Sequence, residues 1–216
     1  MHFVYLHGFA SGPHSRKGRF LQKQLAELGH ELLLPDLNAP SFTSLTFSSQ
    51  LAVLDRTLAG LAGPIGLFGS SLGGLIAVLA AIDDPRIERL ILMAPAFRFR
   101  ERLCFHLGVE AIEQWQRTGK LAFWHHAYRC ECNLKADILD DALAYDEERL
   151  TRAVPTLILH GRHDEVALSE LSCAFAESRP FVQLQLFDTD HGMGDVLPQI
   201  WEQVADFLAF EISTAR

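Results

Sequence analysis

Short apolar runs alternate along this chain with segments in which leucine and other apolar residues recur every three or four positions. Short runs rich in Val, Ile, Leu and Phe are typical of strands that are buried on both faces of a sheet. The sequence predicts six such strands, at Phe3–His7, Glu31–Leu37, Ile65–Gly69, Arg89–Ala94, Thr156–His160 and Gln183–Asp188.

Helical patterns fill the spaces between these runs. Ser15–Leu28 places its leucines on one face and stops at Gly29, a residue typical of a helix end. Further helices are predicted around Leu51–Leu61, Leu72–Leu79, Leu168–Phe175 and Val196–Leu208. Alternation of strand and helix predicts an α/β fold: a mostly parallel sheet of about six strands with helices on both faces.

One segment interrupts the alternation, because the chain between the fourth and fifth strands is much longer than a simple crossover needs. We therefore predict a core of residues 1–96 and 150–216 and a cap insertion of residues 97–149 after the fourth strand, within a single domain overall. Inside the insertion the sequence predicts helices at Val109–Thr118 and Ala136–Tyr145 and a short hairpin within Lys120–Leu134.

The insertion is rich in aromatic residues, which have two possible roles. They line an acyl pocket beneath the cap, or they form the small hydrophobic core of the cap itself. The residues concerned are Trp115, Phe123, Trp124 and Tyr128.

The stretch Gly69-Ser70-Ser71-Leu72-Gly73 joins the third predicted strand to the helix that follows it. A G-x-S-x-G sequence in this strand–turn–helix context is typical of a nucleophile elbow. The two glycines allow strand and helix to approach closely and hold the serine on a strained turn. Ser71 is therefore the candidate nucleophile, and Ser70 is the variable position.

A nucleophilic serine needs a base to accept its proton and a carboxylate to orient that base. Asp164 follows the fifth predicted strand, and His191 follows the sixth. Because functional sites in parallel sheets lie beyond the carboxyl ends of the strands, both residues fall on the same edge as Ser71. The sequence predicts a Ser71–His191–Asp164 triad.

Other acidic and histidine residues near these positions are alternatives. Glu165 is adjacent to Asp164 and is interpreted as a turn or helix-start carboxylate. Asp188 and Asp190 are interpreted as turn residues. His160 and His163 are candidates only for residues that contact a triad residue without taking part in the reaction themselves.

The oxyanion of an acyl-transfer intermediate requires preorganised backbone N–H donors. Leu72, the residue after the nucleophile, is one candidate. The second is Phe9 in the loop after the first strand, with Ala10 as the alternative. The nearby Ser15-Arg16-Lys17 either meets an anionic group of the substrate or is a solvated helix start.

Composition narrows the possible partners and location. The net charge of −8 argues against a nucleic-acid partner, since phosphate binding needs a basic face. No apolar stretch approaches the roughly 20 residues that span a bilayer, and no signal-peptide pattern opens the chain. We expect a cytoplasmic protein with reduced cysteines, no membrane insertion and no metal, because Cys130-x-Cys132 lacks a second pair of ligands. The oligomeric state is not predicted.

Together these motifs resemble those of the α/β-hydrolase superfamily, although we expect this chain to lack the two leading antiparallel strands of its larger members. His7-Gly8-Phe9 resembles the oxyanion loop, Gly69–Gly73 the elbow, Asp164 the acid and His191-Gly192 the histidine loop. The opening His7–Pro13 with Lys17 is similar to small bacterial YqiA-like esterases.

The resemblance implies a hydrolase of a small carboxylic ester or thioester that works without a metal or organic cofactor. The leading expectation is ester cleavage through an acyl-enzyme. The same triad also suits a thioesterase, a peptidase or a carbon–carbon bond hydrolase. A different class of function remains open, that of a non-catalytic ligand-binding protein on a hydrolase scaffold.

Overall fold

A six-stranded parallel sheet forms the centre of the molecule, which is a computed structural model that describes residues 1–210. Within the described residues, six strands form this sheet and two more form a hairpin. In chain order they are β1 (His2–Leu6), β2 (Leu32–Leu33), β3 (Ile65–Ser70), β4 (Ile87–Met93), β5 (Lys120–His125), β6 (Cys130–Lys135), β7 (Thr156–Gly161) and β8 (Val182–Phe187). The sheet has the order β2-β1-β3-β4-β7-β8, and β5 pairs with β6 in a separate antiparallel hairpin.

Helices cover both faces of the sheet, as the alternating pattern predicts. They are α1 (Arg16–Glu27), α2 (Phe47–Leu58), α3 (Leu72–Asp83), α4 (Phe99–Leu107), α5 (Val109–Thr118), α6 (Asp137–Asp141), α7 (Ser169–Glu177) and α8 (Leu197–Leu208). None of the helices within residues 1–210 has the length and apolarity that crossing a membrane requires.

Alternate side chains of each central strand belong to two separate hydrophobic clusters. In β1, Val4 and Leu6 pack with α2, α3 and α7 on one face, whereas Phe3 and Tyr5 pack with α1 and α8 on the other. Burial on both faces explains why the central strands are apolar runs rather than alternating polar and apolar sequences. The predicted fold class is confirmed.

Two predicted strands differ from the structure because they lie at the edges of the sheet. β2 contains only Leu32 and Leu33 of the predicted Glu31–Leu37, and Pro35, which has no N–H to donate to a ladder, follows soon after it. In β8, Gln183 and Gln185 are exposed, so this strand is not buried on both faces.

The segment between β4 and β7 contains α4, α5, the β5–β6 hairpin and α6. The predicted helix at Val109–Thr118 and the hairpin are confirmed. The predicted helix Ala136–Tyr145 is shorter, because a 3-10 turn at Ala142–Ala144 follows α6. The sequence pattern did not indicate α4, which has no buried residue. The division at residues 97 and 149 stays a prediction.

Candidate active site

Ser71 occupies a strained turn between β3 and α3. Its φ of 53° and ψ of −122° lie in a region that residues with a side chain rarely adopt. The turn is held from both sides, because the Ser71 N–H donates to the Met93 carbonyl at 2.9 Å and the Ser71 carbonyl accepts from the Ala96 N–H at 3.1 Å. The side chain is therefore presented at the carboxyl end of β3.

The glycines of the elbow are required by close backbone contacts. A Cβ atom on Gly69 would lie 2.5 Å from the Gly73 carbonyl oxygen, and one on Gly73 would collide with the Leu6 carbonyl oxygen of β1. The strand, the helix and β1 can approach this closely only without side chains at both positions.

The structure brings together the three predicted triad residues from separate loops. His191 Nε2 lies 3.1 Å from Ser71 Oγ, and His191 Nδ1 lies 2.6 Å from Asp164 Oδ2. Because a carboxylate can only accept, Nδ1 carries the proton and Nε2 is free to accept one from the serine. This arrangement is able to deprotonate a serine hydroxyl.

Four donors fix the buried Asp164 carboxylate. Oδ1 accepts from the N–H groups of Val166 and Ala167 at 2.9 and 2.8 Å. Oδ2 accepts from His191 and, at 3.1 Å, from His160 Nε2. Burial tends to raise the pKa of the Asp164 carboxyl, but hydrogen bonds from His160 and His191 outweigh it and hold the pKa well below its usual range. Asp164 is therefore ionised at neutral pH.

His160 supports Asp164 from the side opposite His191. It is fully buried, and its Nε2 also lies 2.7 Å from the Ala167 carbonyl oxygen, so this nitrogen must carry a proton. Its Nδ1 then accepts from the Ser172 hydroxyl at 2.8 Å. Of the two histidines predicted as supporting groups, His160 contacts the triad.

The remaining alternatives lie away from the triad or serve the turns. His163 is exposed and pairs with Asp188. Asp190 Oδ1 accepts from the Gly192 N–H at 2.8 Å, as expected for a turn residue. Glu165 is exposed.

The loop after β1 packs directly against Ser71. A Cβ atom on Gly8 would lie 3.1 Å from Ser71 Cβ. The buried His7 orders this loop, since its Nδ1 donates to the Gly8 carbonyl at 3.0 Å and its Nε2 accepts from the Leu37 N–H at 3.0 Å. The sequence pattern did not show this positioning contact.

Three N–H groups are candidates for oxyanion donors. Leu72 is the first residue of α3, so its N–H has no partner within the helix. Within residues 1–210, the N–H groups of Leu72, Phe9 and Ala10 donate to no protein acceptor. Phe9 and Ala10 both remain candidates for the second donor.

Ser71 lies between two cavities of different character. One is a small apolar pocket of about 110 Å³. Its apolar lining comes from Phe9, Ala96, Phe97, Phe99, Leu103 and Val166. The other is an open cleft of about 890 Å³, which His191 and Lys17 line together with the rim residue Trp124.

The assignment of Trp115 to a substrate pocket is wrong. Trp115 is fully buried in the same hydrophobic cluster as Val4 and Leu6 of β1, and it donates its Nε1–H to the Leu134 carbonyl at 2.9 Å. Phe123 packs behind Phe9, with ring centroids 5.2 Å apart, and lines neither cavity beside Ser71. Trp124 follows it on β5 and points to the opposite face of the strand, so only one of the two can border the cleft.

Lys17 is not part of a solvated helix start. It extends from the first turn of α1 into the cleft, where its Nζ donates to the His191 carbonyl at 3.4 Å. Burial lowers the pKa of the Lys17 ammonium to about 8, although the charges of Asp164 and Asp190 act to raise it. The sequence indicated Lys17 as a possible contact for an anionic substrate group, but it did not indicate that Lys17 is partly buried beside His191.

Cys130 and Cys132 are neighbours on β6, with sulfur atoms 3.7 Å apart. In the described part of the chain, no three His, Cys, Asp or Glu side chains come together as they would around a metal ion. The pair therefore lacks the further ligands that a structural zinc site needs.

Comparison with solved structures supports the fold. Est1E from Butyrivibrio proteoclasticus superposes with a TM-score of 0.76 at 23% identity, over 95% of this chain and 87% of that one. Mouse alpha/beta hydrolase domain-containing protein 10 gives 0.75 at 21% identity, over 96% and 89%.

Sequence comparison gives the family. No curated protein matches the sequence. The model of the family described as Uncharacterised protein family (UPF0227) matches residues 2–209, which is nearly the whole chain. The resemblance to α/β-hydrolases is confirmed, and the chain belongs to UPF0227 and has the α/β-hydrolase fold.

Proposed function

We propose that this protein is a serine hydrolase that cleaves small carboxylic esters through an acyl-enzyme, with Ser71 as the nucleophile. One observation carries the proposal: a continuous hydrogen-bond chain runs from Ser71 Oγ through His191 to the ionised Asp164. The strained elbow adds to it, because such strain is stored at functional sites.

In the first half of the reaction, Ser71 Oγ attacks the ester carbonyl carbon while His191 Nε2 takes the hydroxyl proton. Asp164 stabilises the imidazolium that forms and holds it in the correct tautomer. The carbonyl oxygen becomes an oxyanion, which the N–H of Leu72 and that of Phe9 or Ala10 stabilise. Each lost oxyanion donor costs such enzymes about 100- to 1,000-fold in kcat.

The tetrahedral intermediate then collapses and the bond between the acyl carbon and the alcohol oxygen breaks. His191 gives its proton to the departing alcohol oxygen, leaving an acyl ester on Ser71. Water enters, loses a proton to His191 and attacks the same carbon. Ser71 leaves with that proton, so that one water is consumed and one acid and one alcohol are released.

A small acyl group fits the site. The apolar pocket of about 110 Å³ corresponds to the liquid volume of about three or four water molecules, at about 30 Å³ each.

Est1E, which has the same fold, has been solved with ferulic acid bound. Thioesters, peptides and activated carbon–carbon bonds suit the same triad, and fold alone does not choose among them.

Active-site labelling separates this proposal from that of a non-catalytic binding protein. We expect a fluorophosphonate to modify Ser71 and no other serine, because Ser71 borders the cleft and lies 3.1 Å from His191 Nε2, whereas Ser172, which contacts His160, is fully buried. Mass mapping of the labelled peptide distinguishes it from the adjacent Ser70, and Ser70→Ala is the matched control that should still be labelled.

The same variants test turnover. Ser71→Ala should lower the kcat for 4-nitrophenyl butyrate by about 10⁶-fold, the loss typical of a triad nucleophile. Full activity of Ser71→Ala, or labelling of another serine, would refute the assignment. Failure of the folded wild-type protein to react with the probe or with any nitrophenyl ester would favour the binding protein.

A further inference from the structure

The cleft beside Ser71 contains two cations, Arg16 and Lys17, and two carboxylates, Asp190 and Asp195, in a protein whose net charge is −8. Arg16 and Lys17, at the start of α1, border this cleft next to the loop that holds His191. Within residues 1–210, neither residue has a carboxylate oxygen within 4.0 Å of its nitrogen atoms. Both cations are therefore available to a ligand.

The carboxylates around Lys17 accept hydrogen bonds from other donors and form no ion pair with its ammonium. Asp164 accepts four hydrogen bonds within the triad region, and Asp190 Oδ1 accepts from the Gly192 and Met193 N–H groups. The ammonium itself has one weak contact, the 3.4 Å hydrogen bond to the His191 carbonyl. An ammonium has three donors, so Lys17 can bind an acceptor that enters the cleft.

Arg16 is placed similarly. Its guanidinium lies against the backbone of Gly194, where a Cβ atom would come within 2.5 Å of Nη1. The hydrogen bond from the Thr189 hydroxyl and, to a lesser extent, the charge of Arg16 lower the pKa of the Asp195 carboxyl. The guanidinium is exposed to the cleft and offers a planar set of donors that suits a carboxylate or phosphate.

Positive charge continues beyond Arg16. A second groove of about 610 Å³ shares Ser11, Ser15, Arg16 and His126 with the cleft and leads outward past Arg19 and Arg129. It contains one carboxylate, Asp36, which accepts from both the N–H and the side-chain amide of Asn38. The path away from Ser71 on this side is therefore basic.

The position of His191 indicates whether the acyl group or the leaving group of a substrate lies near Arg16 and Lys17. The imidazole must protonate the departing oxygen, so the leaving group lies on the side of Ser71 where His191 lies. That side is the cleft, which His191 borders, whereas His191 does not border the small apolar pocket. The acyl chain then enters the apolar pocket, and the leaving alcohol extends toward Lys17 and Arg16.

We propose that Arg16 and Lys17 form an anion site for the leaving group, so that the preferred substrates are short-chain esters of an alcohol that carries a carboxylate or phosphate. This inference rests on the proposed function, because it assigns the two cavities through the direction of acyl transfer. A carboxylate and a phosphate both offer an anionic oxygen, which lies two or more bonds beyond the alcohol oxygen of the ester bond that is cleaved.

Two chromogenic esters that differ only in charge test the proposal. In 3-(butanoyloxy)-4-nitrobenzoic acid the leaving phenol carries a carboxylate, and in 3-(butanoyloxy)-4-nitrobenzamide it carries a neutral amide of nearly the same shape. The measured quantity is the ratio of kcat/KM for the carboxylate ester to that for the amide ester. We expect the wild-type ratio to be about ten or more, the size of one charge-assisted interaction.

Substitution of Lys17 isolates its charge. Lys17→Met should lower the ratio about tenfold, whereas Lys17→Arg, which keeps the charge, should retain most of it. Lys17→Met also removes the hydrogen bond to the His191 carbonyl, and that loss would slow the hydrolysis of both esters by the same factor. The ratio of the two kcat/KM values cancels this common loss and reports only the effect of the charge. The matched control is Lys23→Met, an exposed position on the same helix that pairs with Glu27, and its ratio should equal that of the wild type.

Specific outcomes would overturn the proposal. A wild-type ratio near one, or a Lys17→Met variant that slows both esters equally, leaves no anion site. A phosphate-bearing pair of esters extends the test: preference for phosphate over carboxylate would assign the site to phosphate, and loss of preference in both pairs would reject it.

A binding measurement separates this inference from the proposed function. Titration calorimetry of Ser71→Ala with 3-hydroxy-4-nitrobenzoate and its amide measures the anion site without turnover. If the wild type hydrolyses neither ester while calorimetry retains the preference for the anion, the proposed reaction fails and the anion site stands. If Ser71-dependent hydrolysis occurs with a ratio near one, the reaction stands and the anion site fails.

Discussion

At the scale of single residues, Asp164 shows how the proposed triad is held in place. Its carboxylate accepts from two backbone N–H groups through one oxygen and from His191 and His160 through the other. Rotation of the carboxyl group would break several of these bonds at once. The orientation of the His191 ring, and with it the approach of Nε2 to Ser71, is thereby fixed.

The pKa of Lys17 gives a prediction about pH. Because that pKa is lowered to about 8, the ammonium is charged below about pH 8 and neutral above it. The preference for the carboxylate ester should therefore be constant near neutral pH and fall as the pH rises through about 8. Only the contribution of Lys17 is lost in this way, so the part of the preference that Arg16 supplies should remain at high pH.

The measurement is the same ratio of kcat/KM values, followed over the pH range in which the protein stays folded. Asp164, Asp190 and His191 face Lys17 from the loops after β7 and β8, and their effects on catalysis act on both esters and cancel in the ratio. Lys17→Arg should abolish the pH dependence. A wild-type ratio that is flat across pH 8 would show that Lys17 does not contribute its charge.

The three positions of the proposed triad could be identified in the sequence because each lies just after an apolar run in a parallel sheet. Motif spacing fixed Ser71, and the strand ends fixed Asp164 and His191. The places of Lys17 and Trp115 could not be predicted in this way. Lys17 is partly buried because a loop that is 174 residues away in sequence packs over it. Trp115 is buried because the hairpin supplies the Leu134 carbonyl as its partner.

At the scale of elements, the close approach of β1 to α3 leads to a prediction about stability. A Cβ atom on Gly73 would collide with the carbonyl oxygens of Leu6 and His7, which are backbone atoms and cannot move independently. Gly73→Ala should therefore destabilise the fold by about 1–3 kcal/mol, a typical cost of overpacking. For a chain of this size, each kcal/mol lowers Tm by about 2–4 °C.

Thermal and urea unfolding measure this effect. The matched control is Gly60→Ala, where a Cβ atom would have no neighbour within 4 Å. Its stability should change little, so equal losses in both variants would contradict the steric explanation. Gly73→Ala should also lower the proposed ester hydrolysis in the folded fraction, since Leu6 and His7 lead into the loop that carries Phe9 and Ala10, the two candidates for the second oxyanion donor.

The edges of the sheet and the insertion were predicted less well than its centre, for physical reasons. β1, β3, β4 and β7 are buried on both faces, so their apolar runs are unambiguous. β8 has one neighbour only, and its glutamines at 183 and 185 face solvent. α4 was missed because its stability depends on contacts with the core rather than on an amphipathic pattern of its own: Phe99, for example, packs on Phe9 and Phe47.

At the scale of the whole molecule, the topology gathers the site at one edge of the sheet. β3 lies between β1 and β4, so the loop after β1 reaches Ser71 from one side and the chain after β4 reaches it from the other. Loops after β7 and β8 complete the site at the same edge. The loop after β1 and the chain after β4 then meet over Ser71, because Phe9 and Ala96 together with Phe99 and Leu103 of α4 line the apolar pocket.

That shared pocket predicts a limit on acyl-chain length that depends on the insertion. In a series of nitrophenyl esters, kcat/KM should rise to about butyrate and fall for longer chains, because a pocket of about 110 Å³ has no room for further methylenes.

Phe99→Ala removes a ring from the pocket wall and should move the optimum to longer acyl chains. Each added methylene that becomes buried is worth about 0.8 kcal/mol, or about fourfold in kcat/KM. Phe105→Ala, an exposed phenylalanine on the same helix, should keep the wild-type optimum; if Phe99→Ala keeps it too, the acyl chain does not enter this pocket.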